Sequence, residues 1–146
     1  MTTNNKIYVS REFNHSKTVL FKWIVEPDLI SKWFGPKKLV IKKVVSDLRV
    51  SGTYNIELLK PNGTIFNIRG TYLEIKEHTK LKFSFTYSGL EFLPPESIVE
   101  ITLSEISPSI TKLTLIQTFE TIPGDMDNRS KSWEGMFEKL FRNLII

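Results

Sequence analysis

The stretch from Lys131 to Leu144, KSWEGMFEKLFRNL, predicts a long amphipathic helix at the end of the chain. Its apolar residues recur at the i, i+3, i+4, i+7, i+8 and i+11 spacing of one helical face. They are Trp133, Met136, Phe137, Leu140, Phe141 and Leu144. Charged side chains such as Glu134 and Glu138 occupy the opposite side, and Asp125 or Asp127 is the expected N-cap. Because an apolar helical face needs a second layer to cover it, the rest of the chain must supply that layer.

Between Leu39 and about Glu120 the apolar residues follow a period of two, which is typical of strands with one buried face. Alternating runs begin at Tyr54, Phe66, Leu81, Val99 and Leu113. The pair Asn62-Gly63 lies between the first two runs and is a strong hairpin signal. Runs so close together in the sequence predict an antiparallel meander with one buried face and one face in water.

A strand and two short helices are predicted ahead of this meander. Ile7 to Phe13 reads as a strand, and Ser16 can cap a helix that runs to Trp23 or Val25. A second helix starts at Pro27-Asp28 and ends near Trp33-Phe34, because Gly35-Pro36 cannot continue it. We therefore expect residues 1–146 to form one α+β domain, with a curved antiparallel sheet of six or seven strands around the C-terminal helix. A strongly bent sheet would leave space beside that helix.

Composition excludes several classes of protein. The chain has 146 residues and no cysteine, so a disulfide scaffold, a thiolate nucleophile and a cysteine-ligated metal are all excluded. No apolar stretch approaches the ~18 residues of a spanning helix, and no signal peptide is visible, so we expect a cytoplasmic location and no membrane partner. The net charge is +4, and its one local basic cluster is Lys37, Lys38, Lys42 and Lys43. No nucleic-acid-binding motif accompanies these lysines, so we expect no nucleic-acid partner.

The sequence contains no recognisable catalytic constellation. Its two histidines lie far apart, and neither belongs to a His-Glu-x-x-His motif. A Gly-rich phosphate loop and a Gly-x-Ser-x-Gly elbow are also absent. We therefore predict no catalytic residue, no metal site and no cofactor.

Four local patterns resemble one known family. They are REF at 11–13 followed by EPDLI at 26–30, KWFGP at 32–36, DLRVSGTY at 47–54, and SWEG at 132–135. In this order and spacing they resemble the helix-grip, START-like superfamily called SRPBCC, and within it the branch named for the activator of heat-shock-protein-90 ATPase homologue. The resemblance implies the helix-grip fold. Ser51 stands where the family usually has glycine, so we expect a less extreme turn there. Gln117 replaces a histidine found in many members, which argues against chemistry that would use it.

The candidate ligand pocket is assembled from large side chains expected to face the space between sheet and helix. The candidate lining residues are Trp33, Phe34, Tyr54, Phe66, Phe83, Gln117, Trp133, Phe137 and Phe141. The aromatic residues can either stack on a ligand or fill the core, with each indole N–H bound to a backbone carbonyl. Gln117 alternates onto the buried face, where its amide must meet a side chain, water or a ligand.

Three functions fit this reading. The leading one is non-enzymatic binding of a small apolar or amphipathic ligand by a monomer or homodimer. The resemblance implies a second, a chaperone-linked or stress-response module for protein interaction. It also implies a third, cyclase, aromatase or hydrolase activity, since relatives of this fold act on rings. The one polar pair available for chemistry is Gln117 with Tyr54, and glutamine cannot exchange a proton usefully near neutral pH.

Overall fold

The computed structural model describes residues 5–35, 38–90 and 93–144. Within these residues, seven strands and three helices follow one another in the predicted order. They are β1 (Lys6–Phe13), α1 (Lys17–Val25), α2 (Pro27–Trp33), β2 (Val40–Ser46), β3 (Thr53–Leu59), β4 (Ile65–Lys76), β5 (Lys80–Ser88), β6 (Ser97–Ser107), β7 (Ile110–Phe119) and α3 (Met126–Leu144). None of these helices has the length and apolarity to cross a membrane.

The strands form one antiparallel sheet in the order β1-β7-β6-β5-β4-β3-β2. Every other residue of β7 is buried, from Thr111 to Phe119, and the residues between them are half-exposed. This alternation gives the sheet one buried face, onto which α3 packs its apolar side. Five of the six predicted apolar residues of α3 are buried, and the sixth, Phe141, is half-buried beneath the guanidinium of Arg11. The predicted α+β helix-grip architecture is confirmed.

The two short helices begin and end where the sequence predicts. The hydroxyl of Ser16 accepts the backbone N–H of Val19 at 3.2 Å, which caps α1. Pro27 occupies the first turn of α2, where its missing N–H costs no hydrogen bond. Gly35 follows α2 with φ of +104°, a conformation that glycine adopts without strain. Pro36 and Lys37, which belong to the predicted stop motif and lysine cluster, lie outside the described residues.

The turn between β2 and β3 corrects one expectation. Ser51 has φ of +70°, so the turn is as extreme as one with glycine at this position, and the expectation of a milder turn is wrong. Ser51 keeps this conformation because its N–H binds Tyr72 O at 2.9 Å, while the Gly52 N–H binds Arg49 O at 2.8 Å. A Cβ on Gly52 would lie 2.1 Å from Asp47 O, so glycine is required there for space. Asp47 and Arg49 form an ion pair in the same turn, with Arg49 Nε 2.7 Å from Asp47 Oδ2.

A seam interrupts the pairing of β4 with β5. The ladder passes from the pair Arg69–Thr86 directly to the pair Tyr72–Phe83. Within the gap, the Thr71 N–H binds the hydroxyl of Ser84 at 2.8 Å, and the Tyr54 hydroxyl donates to Ser84 O at 2.7 Å. Side chains therefore replace ladder hydrogen bonds at this point of the sheet.

Candidate functional site

Two small cavities lie inside the fold. The first has a volume of about 40 Å³ and includes Trp33, Tyr54 and Phe83 in its wall. The second has a volume of about 70 Å³ and includes Phe66 and Gln117. The space expected beside the helix is therefore divided into two compartments.

Three aromatic rings separate the two cavities. Phe34, Phe85 and Trp133 belong to the walls of both. Their ring centroids lie 6.4 Å apart for Phe34 and Phe85, 6.0 Å for Phe34 and Trp133, and 5.9 Å for Phe85 and Trp133. Each ring thus touches the other two at distances typical of aromatic contacts. We call this cluster of Phe34, Phe85 and Trp133 the aromatic partition.

The nine predicted lining residues are distributed over three places. Five line the first cavity, namely Trp33, Phe34, Tyr54, Phe83 and Trp133. Four line the second, namely Phe34, Phe66, Gln117 and Trp133. Phe137 and Phe141 line neither cavity, because Phe137 packs behind the partition against Trp133 at 5.9 Å and Phe141 packs on Phe13 at 6.0 Å. A role in ligand binding stays a prediction for all nine.

Gln117 is 2% exposed and has protein partners at both ends of its amide. Its Oε1 accepts the indole N–H of Trp133 at 2.8 Å, and its Nε2 donates to Ser97 Oγ at 2.8 Å. The Ser97 hydroxyl donates in turn to Phe85 O at 3.4 Å. A primary amide carries two N–H groups and two lone pairs, so one of each remains for water or a ligand in the second cavity.

The segment carrying Phe34 is held by α3. The Gly35 N–H lies 3.1 Å from the sulfur of Met136, and Lys139 Nζ donates to Gly35 O at 2.9 Å. Burial lowers the pKa of Lys139. The indole N–H of Trp33 binds Trp23 O at 2.9 Å, which is the backbone acceptor expected if this residue fills the core, whereas the indole N–H of Trp133 binds a side chain.

The two tyrosines of the first cavity present protonated hydroxyl groups and not phenolate bases. Burial raises the pKa of Tyr54 well above its ordinary value. Burial also raises the pKa of Tyr72, although its 2.7 Å hydrogen bond with Ser46 partly opposes the rise. Tyr54 and Gln117 line different cavities, so the one polar pair considered for chemistry is not assembled in this structure.

Arg129 lines the second cavity and was not among the predicted site residues. Its side chain is only 18% exposed, and its Nε donates to Asp125 Oδ1 at 2.7 Å. Sequence reasoning missed it because it precedes the apolar run of α3. The spacing does indicate its position, since Arg129 lies one helical turn before Trp133 and therefore on the same face of α3.

Residues 5–35, 38–90 and 93–144 contain no group of three or more His, Cys, Asp or Glu side chains placed to hold a metal ion. The polar groups in the walls of the two cavities are instead hydroxyl, amide, indole and guanidinium groups, which form hydrogen bonds. Such groups can orient a bound molecule through hydrogen bonds.

Comparison with known proteins identifies the family. Residues 14–144 match the model of the family described as "Activator of Hsp90 ATPase homolog 1-like protein". No curated protein matches the chain. Among solved structures, a Chromobacterium violaceum protein is 24% identical with a TM-score of 0.83, over 95% of this chain and 96% of that one. A Nitrosomonas europaea protein is 22% identical with a TM-score of 0.79, over 97% and 95%.

A third solved structure carries the family's name. The AHSA1 protein of Silicibacter pomeroyi is 20% identical with a TM-score of 0.76, over 96% of this chain and 97% of that one. At these identities the structural likenesses show the fold alone, and the family follows from the match over residues 14–144. The chain therefore belongs to the Activator of Hsp90 ATPase homolog 1-like family.

Proposed function

We propose that this domain binds a small, largely apolar ligand in the space between the sheet and α3, without converting it chemically. The observation that carries the proposal is that two adjacent interior cavities are divided by the aromatic partition. Ligand sites are usually concave and lined by apolar and aromatic side chains with a few polar groups, and these cavities share that character.

The sizes of the cavities define what binding requires. A cavity of about 150 Å³ lined by apolar side chains binds benzene, whereas a water needs only about 10–15 Å³. At about 40 and 70 Å³, each compartment has room for water and is too small for a ring. A ligand must therefore displace part of the partition. The side chain of Phe34 is best placed to move, because Phe34 follows the last residue of α2, whereas Phe85 lies within β5 and Trp133 within α3. The contacts of Gly35 with α3 hold the neighbouring backbone and leave the ring of Phe34 to rotate.

The chemistry of the walls supports binding over catalysis. Among the described residues, the walls of both cavities include no Asp, Glu, His or Lys side chain. General acid–base catalysis needs a group whose pKa lies near the working pH. The pKa of Tyr54 is shifted in the opposite direction, well above neutrality. The chaperone-linked alternative rests on the family resemblance, and no contact among the described residues adds support to it.

The test uses a neutral fluorescent probe, N-phenylnaphthylamine, titrated into the purified protein. We expect saturable binding of about one probe per chain, with quenching of Trp133 in the partition exceeding that of Trp23 on α1. Phe34→Ala should bind the probe more tightly than the wild type, because removing the ring joins the two cavities.

Phe13→Ala is the matched control. Phe13 is fully buried and lies outside both cavity walls, so it loses the same ring without joining them. Both variants should lose about 3–5 kcal/mol of stability, and circular dichroism will establish that each remains folded. Absence of probe binding, or equal effects of the two substitutions, would refute the proposal.

A further inference from the structure

The polar side chains in the wall of the second cavity are rich in hydrogen-bond donors. Tyr87 and Ser132 each carry a hydroxyl, Gln117 retains one N–H, and Arg129 carries a guanidinium. Among the described residues that line this cavity, none is acidic. A wall with these donors and one positive charge is suited to an anionic acceptor.

Arg129 is positioned before any ligand arrives. Asp125 binds its Nε, and the guanidinium carbon lies 5.5 Å from the centroid of the Phe119 ring. A guanidinium has five N–H groups, and the Asp125 contact uses the one on Nε, which leaves the terminal groups for other partners. Tyr87 is one such partner: burial raises the pKa of its hydroxyl, and the charge of Arg129 and a hydrogen bond from its guanidinium partly offset that rise.

We propose that the second cavity receives the carboxylate of a small carboxylic acid, whose apolar part extends past the aromatic partition into the first cavity. The inference rests on the proposed function, because it names the chemical class of the ligand. A guanidinium forms paired, charge-assisted hydrogen bonds with a carboxylate, and Gln117 and Ser132 lie in the same wall to complete them.

The two compartments differ in the way that an amphipathic acid requires. The first is enclosed almost entirely by aliphatic and aromatic carbon, with Tyr54 and Tyr72 as its polar members. The second has the arginine and the amide. A carboxylate has only three heavy atoms, so it fits in the place of water, and the apolar part then supplies the displacement of Phe34.

The test compares two ligands of the same shape, hydrocinnamic acid and its neutral amide, by calorimetric titration near neutral pH. Displacing the partition costs the same free energy for both ligands. The ratio of their dissociation constants therefore measures the contribution of the head group to the binding free energy. Hydrogen bonds to charged groups contribute about 1.5–3 kcal/mol, so the acid should bind at least tenfold more tightly.

Arg129→Gln should abolish this preference, while Arg142→Gln should retain it. Arg142 is an exposed arginine on the same helix, 73% exposed and paired with Glu138, so it controls for the loss of one positive charge. Asp125→Asn should keep or increase the preference for the acid, because it removes a nearby negative charge without removing Arg129.

The outcomes separate the two proposals. If the wild type binds acid and amide equally, or if Arg129→Gln retains the preference, the carboxylate site is wrong and the apolar site stands. If neither ligand nor N-phenylnaphthylamine binds, both the proposed function and the carboxylate site are wrong. The wild-type comparison needs no variant, so poor folding of Arg129→Gln cannot leave the question open.

Discussion

The hydrogen bond between Trp133 and Gln117 makes a quantitative prediction about stability. The two side chains are 4% and 2% exposed, and Trp133 Nε1 lies 2.8 Å from Gln117 Oε1. Gln117→Leu removes the acceptor and leaves a buried indole N–H unpaired, at a cost of about 1–3 kcal/mol. Trp133→Phe likewise leaves the amide oxygen unpaired. The double variant has neither orphaned group, so it should be more stable than the sum of the single effects predicts.

The expected coupling energy is therefore about 1–3 kcal/mol in a double-mutant cycle. Urea denaturation followed by far-ultraviolet circular dichroism measures it, because this readout does not depend on the tryptophan that is replaced. Single effects that add to within about 0.5 kcal/mol would refute the reasoning. In that case, water in the adjacent cavity of about 70 Å³ would be replacing each lost partner.

Three further predictions concern α3. Phe137 is 1% exposed, so Phe137→Ala should lower the free energy of unfolding by about 3–5 kcal/mol in urea denaturation, and a much smaller loss would contradict its close packing. Arg11 holds the pKa of Glu138 below its usual 4.5, so the stability from this pair is present above pH 4.5 and is lost as the pH falls further. Glu138→Gln should therefore lose less stability than the wild type in acid titrations below pH 4.5; the same flattening in Glu134→Gln, an exposed glutamate on the same helix, would point away from the ion pair. Gly135 lies in an exposed turn of α3, and an added methyl group would meet no atom within 4 Å, so Gly135→Ala should raise the free energy of unfolding by roughly 0.5–1 kcal/mol, visible as a higher melting temperature; an unchanged or lower one would contradict this.

The architecture was predictable because the spacing of the apolar residues agrees with the positions of the capping and turn residues along most of the chain. The helical spacing from Trp133 to Leu144, the alternation from Tyr54 onward and the cap at Ser16 each depend on near neighbours in the sequence. These features are confirmed without any knowledge of long-range packing. The pairing of β1 with β7 joins the first strand to the last, and no local pattern in the sequence indicates it.

The division of the interior could not be read from pattern alone. Alternation places Phe83 and Phe85 on one face of β5, but only the bend of the sheet brings Phe85 against Phe34 and Trp133. Pattern likewise assigns Phe137 to the face of α3 that adjoins the cavities without specifying which rings pack behind others. Cavity volumes are small differences between large packed volumes, so they depend on rotamers that no periodicity encodes.

The prediction of a milder turn at Ser51 was wrong for a different reason. A positive φ costs a non-glycine residue about 1–2 kcal/mol, and three backbone hydrogen bonds that involve Tyr72, Arg49 and Gly52 can impose that conformation. Family spacing located the turn correctly, whereas substitution of the expected glycine was an unreliable guide to its geometry.

The seam between β4 and β5 gives the sheet a line along which it can flex. On either side the strands are joined by backbone ladders, but at Thr71 the connection runs through the hydroxyl of Ser84. Tyr54, in the wall of the first cavity, donates to the backbone oxygen of the same serine. A molecule entering that cavity would push on the same ring whose hydroxyl secures Ser84. A ligand in the first cavity would therefore loosen the hydrogen bond between the Thr71 N–H and the Ser84 hydroxyl through Tyr54. Faster hydrogen exchange of the Thr71 amide would then show that the cavity is filled.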